Sequence, residues 1–210
     1  MKTILLLWYN KKRKEERMEI INLKLGMLKT NCYILKEGNE TLIIDPADEY
    51  FKIDEIIKNT DLKGILITHN HFDHIGALNQ LLKNYQTKTY DKNNLEEKTY
   101  QIGNFSFEVI YTPGHTADSI TFYFPKEKAM FVGDFIFKDD IGRCDLPTGD
   151  YLQMLASINK IKKYNDDISI YPGHEETTTL LEEKKFNEYF KLKGDTQALA
   201  KILEIDKAKG

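Results

Sequence analysis

Three histidines and an aspartate fall within six residues of this chain, in Thr68-His69-Asn70-His71-Phe72-Asp73-His74-Ile75-Gly76. A lone histidine is more often a hydrogen-bonded core or surface residue than a ligand. A cluster this dense points elsewhere, because neutral imidazoles and carboxylates together make up the ligand set of zinc and similar divalent cations. Alternation in His69-x-His71 places both rings on one side of an extended loop. Asp73 and His74, one step further on at the start of a helix, can point at a neighbouring position, so one loop can serve two cations about 3.5–4 Å apart. It cannot fill both coordination shells. The two remaining histidines, His115 in Tyr111-Thr112-Pro113-Gly114-His115-Thr116 and His174 in Tyr171-Pro172-Gly173-His174, each follow a strand-like run. Asp134, in Phe131-Val132-Gly133-Asp134, ends another and offers a carboxylate able to bridge two cations. A Gly-Asp turn on its own is commonly structural; beside five histidines in strand-to-loop settings the ligand reading prevails.

Loops of this kind need strands that end side by side. Residues 19–25, 31–36 and 41–45 are short apolar or alternating runs separated by Gly26 and by residues 37–39, which predicts an antiparallel opening. Residues 50–59 carry Phe51, Ile53, Ile56 and Ile57 at helical spacing and lead into residues 64–67, a buried strand. Further strands are predicted at 87–90, 105–111, 119–124, 129–132 and 168–171, and helices at 75–84 and 151–164. Residues 178–207 read as charged and helical. Strands and helices mixed without a regular βαβ repeat predict an α/β sandwich with helices covering two sheets.

The chain has 210 residues, 41% of them hydrophobic and 11% aromatic, enough for one domain with a sizeable core. Its 30 basic and 33 acidic side chains are scattered, for a net charge of -3, which argues against nucleic acid as a partner. Cys32 and Cys144 are too few for a disulfide framework or a cysteine zinc site, so two reduced thiols in a cytoplasmic protein are expected. The apolar residues 4–9 precede Lys11, Lys12, Arg13 and Lys14, the reverse of a signal peptide, and are too few to span a membrane. Residues 1–17 are therefore read as a disordered N-terminal extension, and 18–210 as the domain. No membrane partner is expected, and the oligomeric state is left open.

The motifs resemble those of the metallo-β-lactamase fold hydrolases, and more closely the short glyoxalase II-like branch, similar to hydroxyacylglutathione hydrolases. The resemblance runs from about Met18 to Phe190 and rests on Asn31-Cys32-Tyr33, Ile44-Asp45-Pro46, residues 68–76, Thr112-Pro113-Gly114-His115-Thr116, Gly133-Asp134, Gly142-Arg143 and Pro172-Gly173-His174. It implies a four-layer αββα sandwich and two divalent metal ions, zinc first, with iron or manganese as alternatives. By the same resemblance His69, His71 and His115 hold one metal, Asp73, His74 and His174 the other, and Asp134 both, while Asp45 orients the ligand loop. The activity implied is cleavage of a small thioester by a hydroxide shared between the cations, with Asp73 doubling as proton acceptor.

The departures bear on substrate. Longer glutathione thioesterases add a helical C-terminal domain for which this chain has too little sequence, and where they carry a Lys and a Tyr it has Arg143 and Asp145. Arg143 is expected to contact a substrate anion. Glu175 replaces a glycine that often follows the last histidine, and Ala117-Asp118 a commoner pair with Gly. Two other activities share the fold. One is a persulfide dioxygenase, similar around Gly142-Arg143-Cys144-Asp145, with a single iron on His69, His115 and Asp134. The other is hydrolysis of a different ester, lactone or lactam bond.

Overall fold

A computed structural model describes residues 17–192, together with Ile202 and Glu204. The extension expected at residues 1–17 lies outside the described residues apart from Arg17, as does most of the chain beyond 192. The first sheet opens as an antiparallel meander of β1 (Glu19–Leu25), β2 (Thr30–Glu37) and β3 (Glu40–Ile44). Helix α1 (Tyr50–Ile57) then crosses to β4 (Asp61–Leu66), parallel to β3, and α2 (Leu78–Asn84) to the short parallel β5 (Thr89–Tyr90). The second sheet is built from β6 (Thr99–Ile102), β7 (Phe105–Tyr111), β8 (Ile120–Phe124) and β9 (Ala129–Gly133), all antiparallel neighbours. A hairpin of β10 (Ile136–Phe137) and β11 (Asp140–Ile141) and the helix α3 (Tyr151–Ile161) follow. The chain then adds β12 (Ser169–Pro172) parallel to β9 and β13 (Thr178–Thr179) at the edge, giving the order β13-β12-β9-β8-β7-β6. Helix α4 (Leu180–Phe186) and a 3-10 turn at Glu188–Lys191 come last.

Side-chain alternation sets the layers, because successive residues of a strand face opposite sides of the sheet. On β2 and β3, Tyr33, Leu35, Leu42 and Ile44 meet Phe107, Phe122 and Phe131 in the core between the sheets. Ile34 and Ile43 face the other way, onto Ile53 and Ile57 of α1 and Leu81 of α2. On the second sheet Met130, Val132 and Ile170 turn outward to Met154, Leu155 and Ile158 of α3. The result is helix, sheet, sheet, helix, the expected αββα sandwich. Strands β7, β9 and β12 run in one direction, so their C-terminal ends reach the same edge, and the loop after β4 meets them from the facing sheet.

Three expectations shift. The helix predicted at 75–84 begins only at Leu78, because the preceding residues are spent on a turn in which His74 N–H donates to the His71 carbonyl and Ala77 N–H to that of Pro46. The segment predicted helical from 178 opens with the edge strand β13, and the Thr179 side chain then caps α4 by accepting from Glu182 N–H. Strands β6, β10 and β11 were not predicted. Among the described residues no helix is long and apolar enough to cross a membrane, and Cys32 and Cys144 are both buried and form no disulfide.

Candidate metal centre

The loop after β4 is anchored from below by one carboxylate. Asp45, at the end of β3 and 2% exposed, accepts from Thr68 N–H at 2.8 Å through Oδ1 and from Thr68 Oγ1 at 2.6 Å through Oδ2. Its Oδ2 also lies 2.9 Å from His74 Nδ1, so a single side chain fixes both the start of the loop and its last imidazole. Asp118 ties down the middle, accepting from the backbone N–H and the side-chain amide of Asn70. Close approach of the loops forbids side chains at two glycines. A Cβ on Gly133, whose φ is +54°, would lie 2.3 Å from Thr68 Oγ1, and one on Gly173 would lie 2.3 Å from Asp134 Oδ1.

These contacts bring all seven residues expected at the metals together. Ligand atoms of His69, His71 and His115 lie within 4.8 Å of one another, as do those of Asp73, His74 and His174, and those of His69, His74 and Asp134. Asp134 reaches across the two sets, its carboxylate oxygens standing 3.3 Å from His74 Nε2, 3.5 Å from His174 Nε2 and 3.7 Å from His115 Nε2.

The partners on the outer side of each ring decide what the inner side offers. His115 Nδ1 is 2.7 Å from the Arg143 carbonyl and His174 Nδ1 is 3.2 Å from that of Leu28, so in both rings Nδ1 carries the proton. His74 Nδ1 faces Asp45, and His69 Nδ1 faces Thr68 Oγ1, which has already donated its proton to Asp45. In the neutral state, therefore, Nε2 of His69, His74, His115 and His174 presents a lone pair inward. Lone pairs at this spacing repel unless positive charge lies among them. Nε2 of His74 and Oδ1 of Asp134 are buried and have no hydrogen-bond partner, an arrangement that a cation accepting both would satisfy.

The electrostatics point the same way. Burial holds the His69 and His71 pKa values below the ordinary histidine range, keeping both neutral as ligands must be. Burial acts in the same sense on His74 and His174, but the carboxylates Asp134 and Asp45 outweigh it for His74, raised to about 10, and Asp134 and Asp73 for His174, raised to about 9. For Asp73 and Asp134 burial pushes upward, yet the imidazoles of His174 and His74 hold both carboxyls below their usual range. The cluster thus draws in positive charge, and the donors present fit a divalent cation in its place.

Residues 25–92 and 90–174 match the family model of the Metallo-beta-lactamase superfamily. The chain belongs to this superfamily. It is 30% identical over 211 residues to the hydroxyacylglutathione hydrolase GloC of Haemophilus influenzae, an alignment spanning 84% of this chain and all of that one. Among solved structures it superposes on BLEG-1 B3 metallo-beta-lactamase with a TM-score of 0.78 at 29% identity, covering 82% of this chain and 99% of the other. It superposes on ETHE1 from Myxococcus xanthus with a TM-score of 0.80 at 25% identity, covering 89% and 90%. The protein is accordingly a metal-dependent hydrolase of the metallo-β-lactamase fold.

In this superfamily member the metal centre forms one wall of a cavity of about 590 Å³. Arg143 lines the same cavity, its guanidinium paired with Asp145. Several supporting residues had no assigned role in the sequence reading. Thr30 Oγ1 donates to Asp73 Oδ2 at 2.7 Å. Asn31 Nδ2 and Tyr33 OH both donate to the Pro172 carbonyl, at 2.9 and 2.7 Å, pinning the turn that carries His174 across the gap between the sheets. Asn31 and Tyr33 stand in a motif of the resemblance; nothing in the linear sequence marks Thr30.

Proposed function

We propose that this chain is a binuclear hydrolase of small hydroxyacyl thioesters, with residues 18–210 as its catalytic domain and the cytoplasm as its compartment. The observation that carries the reading is the convergence of five imidazoles with Asp73 and Asp134 into adjoining donor sets beside an open cavity. His69, His71 and His115 would hold one cation, Asp73, His74 and His174 the second, and Asp134 both. The nitrogen and oxygen donors suit zinc and also admit iron or manganese. Cations bound there supply Lewis-acid polarisation of a carbonyl and a water acidic enough to attack near neutral pH.

The chain's own residues do the rest. Asp45 holds Thr68 and His74 so that the rings are oriented before substrate arrives. Asp73, kept ionised and fixed by Thr30, borders the cavity; its low basicity suits it to orient a water and pass the proton on. A thiolate leaves without help from a further acid, consistent with a site in which every histidine is already committed to the cluster. The activity named for the Haemophilus relative supports a thioester as the bond cleaved.

Metal analysis of the purified protein combined with a substrate panel tests this. The expected result is two cations per chain and cleavage of thioesters in preference to esters, lactones and β-lactams. One iron per chain with oxygen uptake on a persulfide would replace the reading with a dioxygenase built on His69, His115 and Asp134. Preferential lactam cleavage, the activity in the name of BLEG-1, would assign a different bond.

A further inference from the structure

Away from the metal-binding side chains, the cavity wall is largely apolar, formed by Leu28, Phe72, Phe137, Ile141 and Leu146. Two of these reach into solvent, Phe72 with 76% of its surface exposed and Leu28 with 53%. Exposed apolar side chains at the mouth of a cavity are a binding feature more often than a structural one. Apart from the metal-binding side chains, the charged residues of the remaining wall are Arg143 and the carboxylates Asp140 and Glu175. Among the described residues Arg143 is the one arginine or lysine lining the cavity, and its Nε and Nη2 each donate to one carboxylate oxygen of Asp145 at 2.7 Å. That bidentate fork is the geometry with which an arginine recognises a substrate carboxylate, and Asp145 already occupies it. Glu175 adds a negative charge on the same wall, its backbone fixed in the left-handed region at φ 66°.

We propose that this cavity selects thioesters whose groups flanking the scissile bond carry no carboxylate, and that Asp145 enforces the selection by neutralising Arg143 against a substrate carboxylate. The kinetic arm of the proposal rests on the thioesterase reading. An incoming carboxylate must displace Asp145 to reach the guanidinium, and it meets an Arg143–Asp145 pair with no net charge if it does not. Both members of the pair are more than half exposed, so the discrimination is modest.

A matched pair of substrates isolates charge from shape: the lactoyl thioester of glutathione, and the same thioester with both glutathione carboxylates converted to carboxamides. With metal-loaded wild type, kcat/KM should favour the diamide by at least about threefold. Asp145→Asn frees the fork, and the ratio should move towards the carboxylate form by about three- to tenfold; adding Arg143→Gln should reverse that movement. Calorimetric binding of S-methylglutathione and its diamide, neither of which has a bond to cleave, should show the same order and the same shift. Wild-type preference for the carboxylate form, or ratios unmoved by Asp145→Asn in a variant with unchanged melting temperature and metal content, would overturn the proposal. If neither thioester is cleaved, the thioesterase reading fails, and the binding comparison still decides whether Asp145 selects against anions.

Discussion

His174 is partly exposed, at 22%, and its Nδ1 is held by one carbonyl, that of Leu28. Its Nε2 nevertheless lies within 3.2 Å of Asp73 and 3.5 Å of Asp134, so its loss should be felt by the whole second donor set. His174→Ala should lower hydrolysis by at least about a hundredfold, or 2.7 kcal/mol of barrier, and bring metal content from two towards one per chain. Full metal content with near wild-type turnover would show that the two-cation assignment is wrong. That such a test can be framed reflects how much of the site was legible: imidazoles and carboxylates announce their chemistry by type, and the spacing of His69, His71, Asp73 and His74 announces the loop. The supports were not legible in the same way. Thr30, Asn31 and Asp118 act through contacts 43, 141 and 48 residues away, and no local pattern encodes which distant strand a hydroxyl or amide will meet.

At the scale of elements, the loops are placed by what their strands exclude as well as by what they bond. Gly173 follows β12 where the turn passes against the metal centre, and a Cβ there would lie 2.3 Å from Asp134 Oδ1 and 2.6 Å from His74 Cε1. Gly173→Ala should therefore displace ligands without removing any. Metal analysis should find less than one cation per chain while far-ultraviolet circular dichroism keeps the wild-type shape; full occupancy would show that the loop yields freely. Helix α4 raises a separate question, because Glu183 is fully buried and accepts from Thr178 Oγ1, Asn187 Nδ2 and Asp139 N–H. Burial raises its pKa above the ordinary 4.5, against the opposing pull of those donors. A carboxyl raised on folding contributes stability that is fully present below its unfolded pKa and is lost as the pH rises through the folded one. Glu183→Gln has no such titration, so the stability of wild type relative to the variant should fall as the pH rises above about 4.5 in chemical denaturation; a flat difference would remove burial as the governing effect. The elements hardest to read from sequence were the two-residue strands β10, β11 and β13. They are too short to show a period of two, and they exist because the flanking chain is held by Glu183, Asn187 and the strand β12.

For the whole molecule, the two sheets and their helices were legible because long apolar runs alternate, whereas the charge balance of the cavity emerged only once Asp145 was seen folded back onto Arg143. The same view shows what the metal centre does for stability. Its donors come from the loop after β4 on one sheet and from the ends of β7, β9 and β12 on the other, so bound cations tie together the edges of two sheets that are also joined by their apolar core and by hydrogen bonds such as those of Asn31 and Tyr33 to Pro172. Without cations the carboxylates and inward lone pairs are left to protons, which satisfy fewer of them. A ligand that binds only the folded state at a thousand times its Kd adds about 4 kcal/mol, and in a chain of this size each kcal/mol moves Tm by roughly 2–4 °C. Removing both cations with a chelator should therefore lower Tm by roughly 15–30 °C, and two equivalents of zinc should restore it. Restoration should be complete at the second equivalent, not the first, because each donor set contributes its own link between the sheets. A Tm indifferent to chelation, in protein shown by metal analysis to have lost its cations, would mean that the sandwich edges are held by their hydrogen bonds alone.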